Sequence, residues 1–342
     1  LYNHAHVPRV GRLARVNARV RSPLATWFAG PRARAAFARR VLGRRAALLP
    51  ARDAAWRAVG PPFARAVALA RAGLPFQVAL ERRYDRSGDP RRLRGALARG
   101  ATVYVPQVHQ VLPRVARLMV ALREALLGPR GEAASFLFLV QGRGRTGMGL
   151  HHDGEVDAFW LQLEGRRTVT LGPPVPRGAR ADLDPRRAGG PGWRTLDLVP
   201  GTLLYLPPRT PHDVVCHGRS LALSLTWSRR RTRRAWPAWD VASGRAEPRP
   251  RRDRRWLWTQ VPVRAGGLDR GRRRFRLLTP DAAAWVPARA RGLAARLGDM
   301  PAVRAGARGA APLVALGVLA PEDLPLVVVP DAPRALDGWR FA

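Results

Sequence analysis

The spacing of apolar residues changes character part-way along this chain. Up to residue 127 the pattern is mostly helical. Pro31 opens a segment in which Phe37, Val41 and Leu42 form an apolar side, and proline suits a first helical turn. Pro61-Pro62 precedes an Ala-rich stretch from Phe63 to Ala72. Asp89 is placed to cap a helix over 90–99 that Gly100 ends. Pro113 opens another helix, running to Leu127, with Val115, Leu118, Met119 and Leu122 on one side; Gly128 stops it. Val103-Tyr104-Val105 reads as a short strand and Ser135 to Val140 as an apolar one.

Beyond residue 150 the period is two. His151 to Leu163 and Val169 to Leu171 flank the Glu164-Gly165 turn and read as two antiparallel strands. Strands follow at Leu196 to Val199, Leu203 to Leu206, His212 to Val215 and Leu221 to Trp227, with Pro200-Gly201 as a turn. Residues 173–192 form a long polar loop rich in proline, glycine and arginine. Many short strands joined by such turns predict a mainly β fold with a jelly-roll core. The expected organisation is a helical and irregular region over 1–100 supporting the barrel, the barrel over 101–228, a basic Pro/Arg-rich linker over 229–255, and a small α/β domain over 256–342. In that last part Trp258 to Val263, Phe275 to Leu278 and Leu324 to Val329 read as strands, and Ala288 to Leu297 and Val303 to Leu319 as helices, the second interrupted by Pro312.

The 342 residues are 46% hydrophobic, enough for a substantial core. All 61 basic residues are arginine, and the formal net charge is +37. Either the charge attracts a polyanion such as RNA, or it reflects an Arg, Ala, Gly and Pro excess spread over the whole chain; non-specific RNA contact follows from both. The single cysteine, Cys216, excludes an intramolecular disulfide and fits a reducing compartment, so a cytoplasmic location is expected. No apolar run is long enough for a transmembrane helix, and no membrane contact is expected. The chain opens Leu1-Tyr2-Asn3-His4 with no signal peptide and no initiator methionine, which leaves a start further upstream open.

Chemistry concentrates in two places. His151-His152-Asp153 begins the period-two region, and His212 follows it after the Pro207-Pro208 and Pro211 punctuation. In a strand, residues two apart share a face, so His151 and Asp153 project together and His152 turns away. With His212 from another strand they form a two-histidine, one-carboxylate set that suits Fe(II) and leaves part of its coordination sphere open. Arg167 follows the Glu164-Gly165-Arg166 turn; placed inside a barrel, its guanidinium needs an anionic partner. Arg166 pointing inward instead is the competing phase. Gln162, Tyr205, Ser224 and Thr226 are further pocket candidates, with Tyr205 and Thr226 expected to contact a cosubstrate. Phe159, Trp160, Leu161, Leu204 and Leu206 read as core, and Trp193, Trp227 and Trp236 as core or entrance residues. Cys216 reads as a buried small hydrophobe.

The run His151-His152-Asp153-Gly154-Glu155-Val156-Asp157-Ala158-Phe159-Trp160-Leu161-Gln162-Leu163-Glu164-Gly165-Arg166-Arg167 resembles the JmjC-type iron and 2-oxoglutarate oxygenases, notably their cupin-fold ribosomal oxygenases. The stretch Pro200-Gly201-Thr202-Leu203-Leu204-Tyr205-Leu206-Pro207-Pro208-Arg209-Thr210-Pro211-His212 resembles the family's strand pair bearing the second histidine. The likeness is strong over about 100–227, weaker towards the C-terminus, where it implies a winged-helix-like part, and loose before residue 100. It implies a double-stranded β-helix in which His151, Asp153 and His212 hold Fe(II) and Arg167 pairs with the distal carboxylate of 2-oxoglutarate. It further implies hydroxylation of a protein or peptide side chain, with a ribosomal protein as one candidate, and a homodimer. Two departures stand out. The interval from Asp153 to Phe159 is one residue longer than the family's, and Thr168 replaces an aromatic after the turn. Without that insertion His152 and Gly154 would take the ligand positions, the arrangement of an iron halogenase. A metal-binding cupin with other chemistry (an isomerase or a 2-oxoglutarate-independent dioxygenase) and a non-enzymatic RNA-binding protein complete the alternatives.

Overall fold

The computed structural model describes residues 22–321 apart from 72–73, 86–87, 129–132, 146, 229–234, 241–244, 251–254, 280–282, 298–299 and 301. The strand expected at Leu324 to Val329 and the arginine run 229–234 lie outside the described residues.

Helices form where the caps predict them. Pro31–Arg40, Pro90–Ala98 and Pro113–Leu122 each begin with proline, and the Asp89 carboxylate accepts the Arg91 N–H at 2.9 Å. Phe63–Arg71 is the fourth, its first N–H donating to Glu164 Oε1 at 2.6 Å. The helix expected to reach Leu127 widens instead into a π turn over Arg123–Leu127 before Gly128, which takes a φ of 60°.

The barrel is two facing antiparallel sheets. The larger has eight strands, in spatial order β1 (Ala47–Leu49), β10 (Leu203–Leu206), β7 (Val156–Glu164), β12 (Ser220–Ser228), β5 (Ala133–Val140), β4 (Thr102–Pro106), β2 (Gln77–Leu80) and β3 (Arg83–Asp85). The smaller has four: β6 (Arg143–Arg145), β11 (His212–His217), β8 (Arg167–Leu171) and β9 (Arg194–Leu198). Region 1–100 therefore supplies three strands to the main sheet as well as helices.

Strands β7 and β8 were expected to pair, and they do not. They lie in opposite sheets, and Glu164-Gly165-Arg166 is a corner between the layers. Gly165 is required there: its φ is +69°, and a Cβ would sit 2.0 Å from the Arg219 carbonyl oxygen.

The outer face of the large sheet is covered by the N-terminal helices. Val103, Val105, Leu137, Leu139, Phe159, Leu161, Leu223 and Trp227 join Phe37, Phe63, Leu93 and Leu118 in one core. Their alternating neighbours on the same strands face the smaller sheet, where Ala158, Val169, Leu171, Leu204, Leu206 and Val214 form a second cluster. The functional cavity opens beside that second cluster, between the sheets.

The C-terminal part differs from expectation. Segment 229–255 is not simply a linker, since β13 (Ala235–Asp240) and β14 (Arg245–Pro250) pair within it. They share a five-stranded sheet with β19 (Ala302–Arg304), β15 (Trp256–Thr259) and β20 (Leu319–Ala320). A separate meander joins β16 (Arg264–Asp269), β17 (Arg274–Leu278) and β18 (Ala283–Pro287). The expected long helices reduce to Arg291–Ala294, after a 3-10 turn, and Ala310–Ala315. Glycine and proline explain the shortening: Gly309 opens the second helix at a φ of 88°, and Gly317 follows it at 74°. Among the described residues, no helix is long and apolar enough to cross a membrane.

Candidate metal centre and its cavity

His151 lies just before β7 in an isolated bridge, and its bridge partner is His212, the first residue of β11. The two exchange backbone hydrogen bonds: His151 N–H donates to His212 O at 3.1 Å, and His212 N–H to His151 O at 2.8 Å. A residue pair directly opposite in an antiparallel ladder holds its side chains close together. The Nε2 atoms are accordingly 3.1 Å apart, and Asp153 Oδ1 is 3.9 Å from His151 Nε2. One ligand atom from each of the three residues falls within 4.8 Å of the others.

Hydrogen bonding on the far side of each ring fixes its tautomer. His151 Nδ1 is 2.8 Å from the Gly149 carbonyl and His212 Nδ1 is 3.0 Å from that of Thr210. A carbonyl only accepts, so each Nδ1 carries the proton and each Nε2 presents a lone pair. Two lone pairs directed at each other at 3.1 Å beside a carboxylate repel unless a cation lies between them. Neighbouring ligands about 2.1 Å from a first-row metal, at right angles, stand about 3 Å apart. The donor set therefore fits Fe(II). His212 is fully buried; that burial, then His151, pushes its pKa down to about 4, while Asp153 opposes the shift. It stays neutral, as a ligand must.

His152 is excluded as a ligand. It is buried, its Nε2 donates to the Arg180 carbonyl at 2.9 Å, and its Nδ1 accepts the Gly154 N–H at 3.0 Å. Both ring nitrogens are occupied, so the register in which His152 and Gly154 replace His151 and Asp153 is not the one adopted. Instead His152 fastens the 173–192 loop to the metal segment. Its backbone N–H also reaches Ala181 O at 3.0 Å, and Arg82 bonds the Leu183 carbonyl at 2.9 Å.

The cavity beside the triad measures about 320 Å³. Phe136, Phe138, Met148, Val156, Trp160 and Val214 make its apolar walls, and Thr102, Tyr104, Arg167, Ser224 and Thr226 its polar positions. Trp160, expected in the core, lines it instead, with its ring edge-on to His212 at 4.8 Å. Tyr104 was not singled out from the sequence. It stacks on Phe138 at 5.8 Å and hydrogen-bonds Gln77. The alternation Val103-Tyr104-Val105 held the signal, because two buried valines flank a residue that must face the other side.

Arg167 points inward and Arg166 outward, to a 2.6 Å ion pair with Asp197. The Arg167 Nε–H donates to Ser220 Oγ at 2.7 Å and its NH2 group to the Phe138 carbonyl at 2.9 Å. Gln162 Nε2 supports the same Ser220 oxygen at 2.9 Å. Gln162 thus orients Ser220 and does not line the cavity. Among the described residues no carboxylate forms an ion pair with Arg167, although the residue is 6% exposed. Burial lowers its pKa, countered by nearby Cys216, whose own thiol burial pushes up. Arginine nonetheless remains charged.

Tyr205, expected to contact a cosubstrate, is corrected. Its hydroxyl donates to Asp157 Oδ1 at 2.7 Å and accepts the Gly43 N–H at 2.5 Å, on the outer face of the large sheet. Thr226 does line the cavity, its hydroxyl 3.4 Å from the Ala134 carbonyl. Trp227 is core, Trp193 packs over Gly172, and Trp236 lies in β13. His217 faces outward to Thr168 at 2.6 Å, and Cys216 is buried.

A two-histidine, one-carboxylate centre between two antiparallel sheets is the site the JmjC resemblance implied, and comparison with family models agrees. Part of the chain matches the family model of the JmjC domain. The match covers residues 108–234, which include the triad, Arg167 and the cavity strands β5 to β12. Solved structures similar to the chain include a ribosomal oxygenase from Escherichia coli, YcfD, in complex with cobalt and 2-oxoglutarate, at 22% identity and a TM-score of 0.45. Another crystal structure of the same E. coli protein gives the same values. In both cases the alignment covers 58% of this chain and 52% of the other, so the chain spans about half the length of these structures. No curated protein matches it.

Proposed function

We propose that this chain is an Fe(II)- and 2-oxoglutarate-dependent oxygenase that hydroxylates a side chain of a protein or peptide. The observation that carries the reading is the pairing of two unmet needs in one JmjC cavity. Two imidazole lone pairs and a carboxylate converge within 4.8 Å of one another, and among the described residues no carboxylate pairs with the buried Arg167 guanidinium. A divalent metal and a dicarboxylate supply both.

In this reading His151 and His212 bind the metal through Nε2, with their rings held by the Gly149 and Thr210 carbonyls. Asp153 contributes the negative charge. When bound, Fe(II) with 2-oxoglutarate activates dioxygen for insertion into an unactivated C–H bond. Arg167, aimed by Ser220, anchors the distal carboxylate of the cosubstrate, and Thr226 and Ser224 border it. Phe136, Phe138 and Trp160 keep water from the reacting carbon. The cavity is at the small end for ligand sites, with room for a short dicarboxylate and one inserted side chain. That suits a residue presented on a peptide, and a ribosomal protein is the candidate to test first.

Anaerobic calorimetry with Mn(II), followed by 2-oxoglutarate, tests the site. Binding of metal is expected to vanish in His151→Ala and to persist in Arg167→Met. Cosubstrate affinity in Arg167→Met is expected to fall by about 30-fold or more, since losing the partner of a buried charge costs about 2–5 kcal/mol. Incubation with Fe(II), 2-oxoglutarate, ascorbate and a ribosomal protein digest is expected to add one oxygen atom to a single residue and release succinate. Unchanged 2-oxoglutarate affinity in Arg167→Met would remove the anchor. Succinate without any oxidised peptide would remove the assigned substrate class.

A further inference from the structure

The C-terminal meander carries a feature the oxygenase reading does not use. Trp285 on β18 is 50% exposed, the most exposed of the large hydrophobics among the described residues. It is not left loose. The Arg274 guanidinium carbon lies over its ring at 4.3 Å from the centroid, and Asp269 fixes Arg274 at 3.1 Å. The other Asp269 oxygen accepts the Arg272 N–H at 3.1 Å, which ties the β16–β17 turn into the same assembly. With Arg274 on one face and half its surface exposed, the indole offers its other face to solvent.

Sheet register decides what surrounds that face. Trp285 stands directly opposite Arg276, which is exposed, while Phe275, Leu277 and Val286 point into the core. Cross-strand partners project to the same side. The turn ahead of β17 adds exposed Arg270, Arg272 and Arg273. By sequence, residues 264–285 include six arginines and only two aspartates. An arginine-rich composition scatters guanidinium groups over any surface. It does not by itself place a pre-ordered, exposed indole among them.

From this juxtaposition we propose that the outer face of the β16–β17–β18 sheet binds single-stranded nucleic acid. An unpaired base stacks on the free face of Trp285, and its flanking phosphates pair with Arg276 and the 270–273 turn. The charge selects a polyanion. The indole selects one with aromatic faces to offer, which a duplex keeps stacked internally and an acidic polypeptide lacks. The surface is separate from the cavity, so the proposal stands apart from the oxygenase reading.

The test uses the full chain and fluorescence anisotropy of a labelled 12-nucleotide single-stranded RNA, competed with the matching duplex, heparin and polyglutamate. Trp285→Ala is expected to weaken single-strand binding by about 5- to 150-fold, the range measured for one base stack. Trp285→Tyr keeps a stacking ring and is expected to stay near the parent. Heparin and polyglutamate affinity should be unchanged by Trp285→Ala, and Arg276→Glu should weaken every polyanion. His151→Ala should bind the RNA like the parent. The proposal is overturned by undetectable binding of the single strand, by equal affinity of Trp285→Ala and the parent, or by equal losses for RNA and polyglutamate.

Discussion

Replacing His152 by leucine separates its role as a fastener from that of its neighbours as ligands. The change deletes the donor to the Arg180 carbonyl and the acceptor of the Gly154 N–H, bonds of 2.9 and 3.0 Å. Each buried group left unpaired costs about 1–3 kcal/mol. Arg180 is exposed, so water recovers part of its share, and a combined cost of about 2–4 kcal/mol is expected. The backbone bonds from His152 to Ala181 and from Leu183 to Leu150 survive, so the cost falls on docking of the 173–192 loop. Trypsin reports this directly, because Arg180 is in the loop. Where opening is fast relative to cutting, cleavage after Arg180 should rise roughly 30- to 700-fold. Mn(II) affinity, measured in parallel, should change far less than in His151→Ala. Unaltered cleavage after Arg180 would refute the fastener. Loss of metal as complete as in His151→Ala would show that His152 is itself a ligand.

Other expectations follow from the same coordinates. His109 is fully buried beside Ser135, and burial pushes its pKa down to about 3. The unfolded chain therefore binds a proton below about pH 6.5 that the folded chain refuses, so stability present at pH 7 is lost on acidification towards pH 3. Urea unfolding of the parent should lose about 2 kcal/mol more than His109→Leu between pH 7 and pH 5; parallel losses would contradict this. Tyr205→Phe removes the bonds to Asp157 and Gly43 and should cost about 1–3 kcal/mol of stability with no change in 2-oxoglutarate affinity. Gly165→Ala forces a side chain into a φ of +69° and against the Arg219 carbonyl. A loss of more than about 1 kcal/mol is expected by thermal denaturation.

Much of the centre was readable from local pattern. Ligand identity is a matter of residue type, and His151 and Asp153 are adjacent enough for spacing alone to relate them. Arg167 against Arg166 is a choice of strand phase, and the structure shows Arg167 inward. Phase failed at Tyr205 for a definite reason. Strand β10 is buried on both faces, with Leu203 and Tyr205 under the N-terminal helices and Leu204 and Leu206 towards the small sheet. Alternation distinguishes inside from outside only when one face is wet. The same covering of the large sheet concealed the difference between core Phe159 and cavity-lining Trp160.

By itself, the sequence determined which side chains can hold a metal, where helices start, and that the middle of the chain is short strands and turns. These are consequences of residue chemistry and of dihedral preference over a few positions. Tertiary structure alone decided that β7 and β8 part into opposite sheets, that His151 and His212 face each other at 3.1 Å, and that His152 is used up by the loop above it. Among the described residues it also left Arg167 buried without an ion-paired carboxylate and Trp285 exposed between arginines. Such facts depend on which distant segments the hydrophobic layers bring together. Local periodicity carries no information about the partner across the layer, and that partner sets whether a charge or an aromatic ring is satisfied within the fold or open to a ligand.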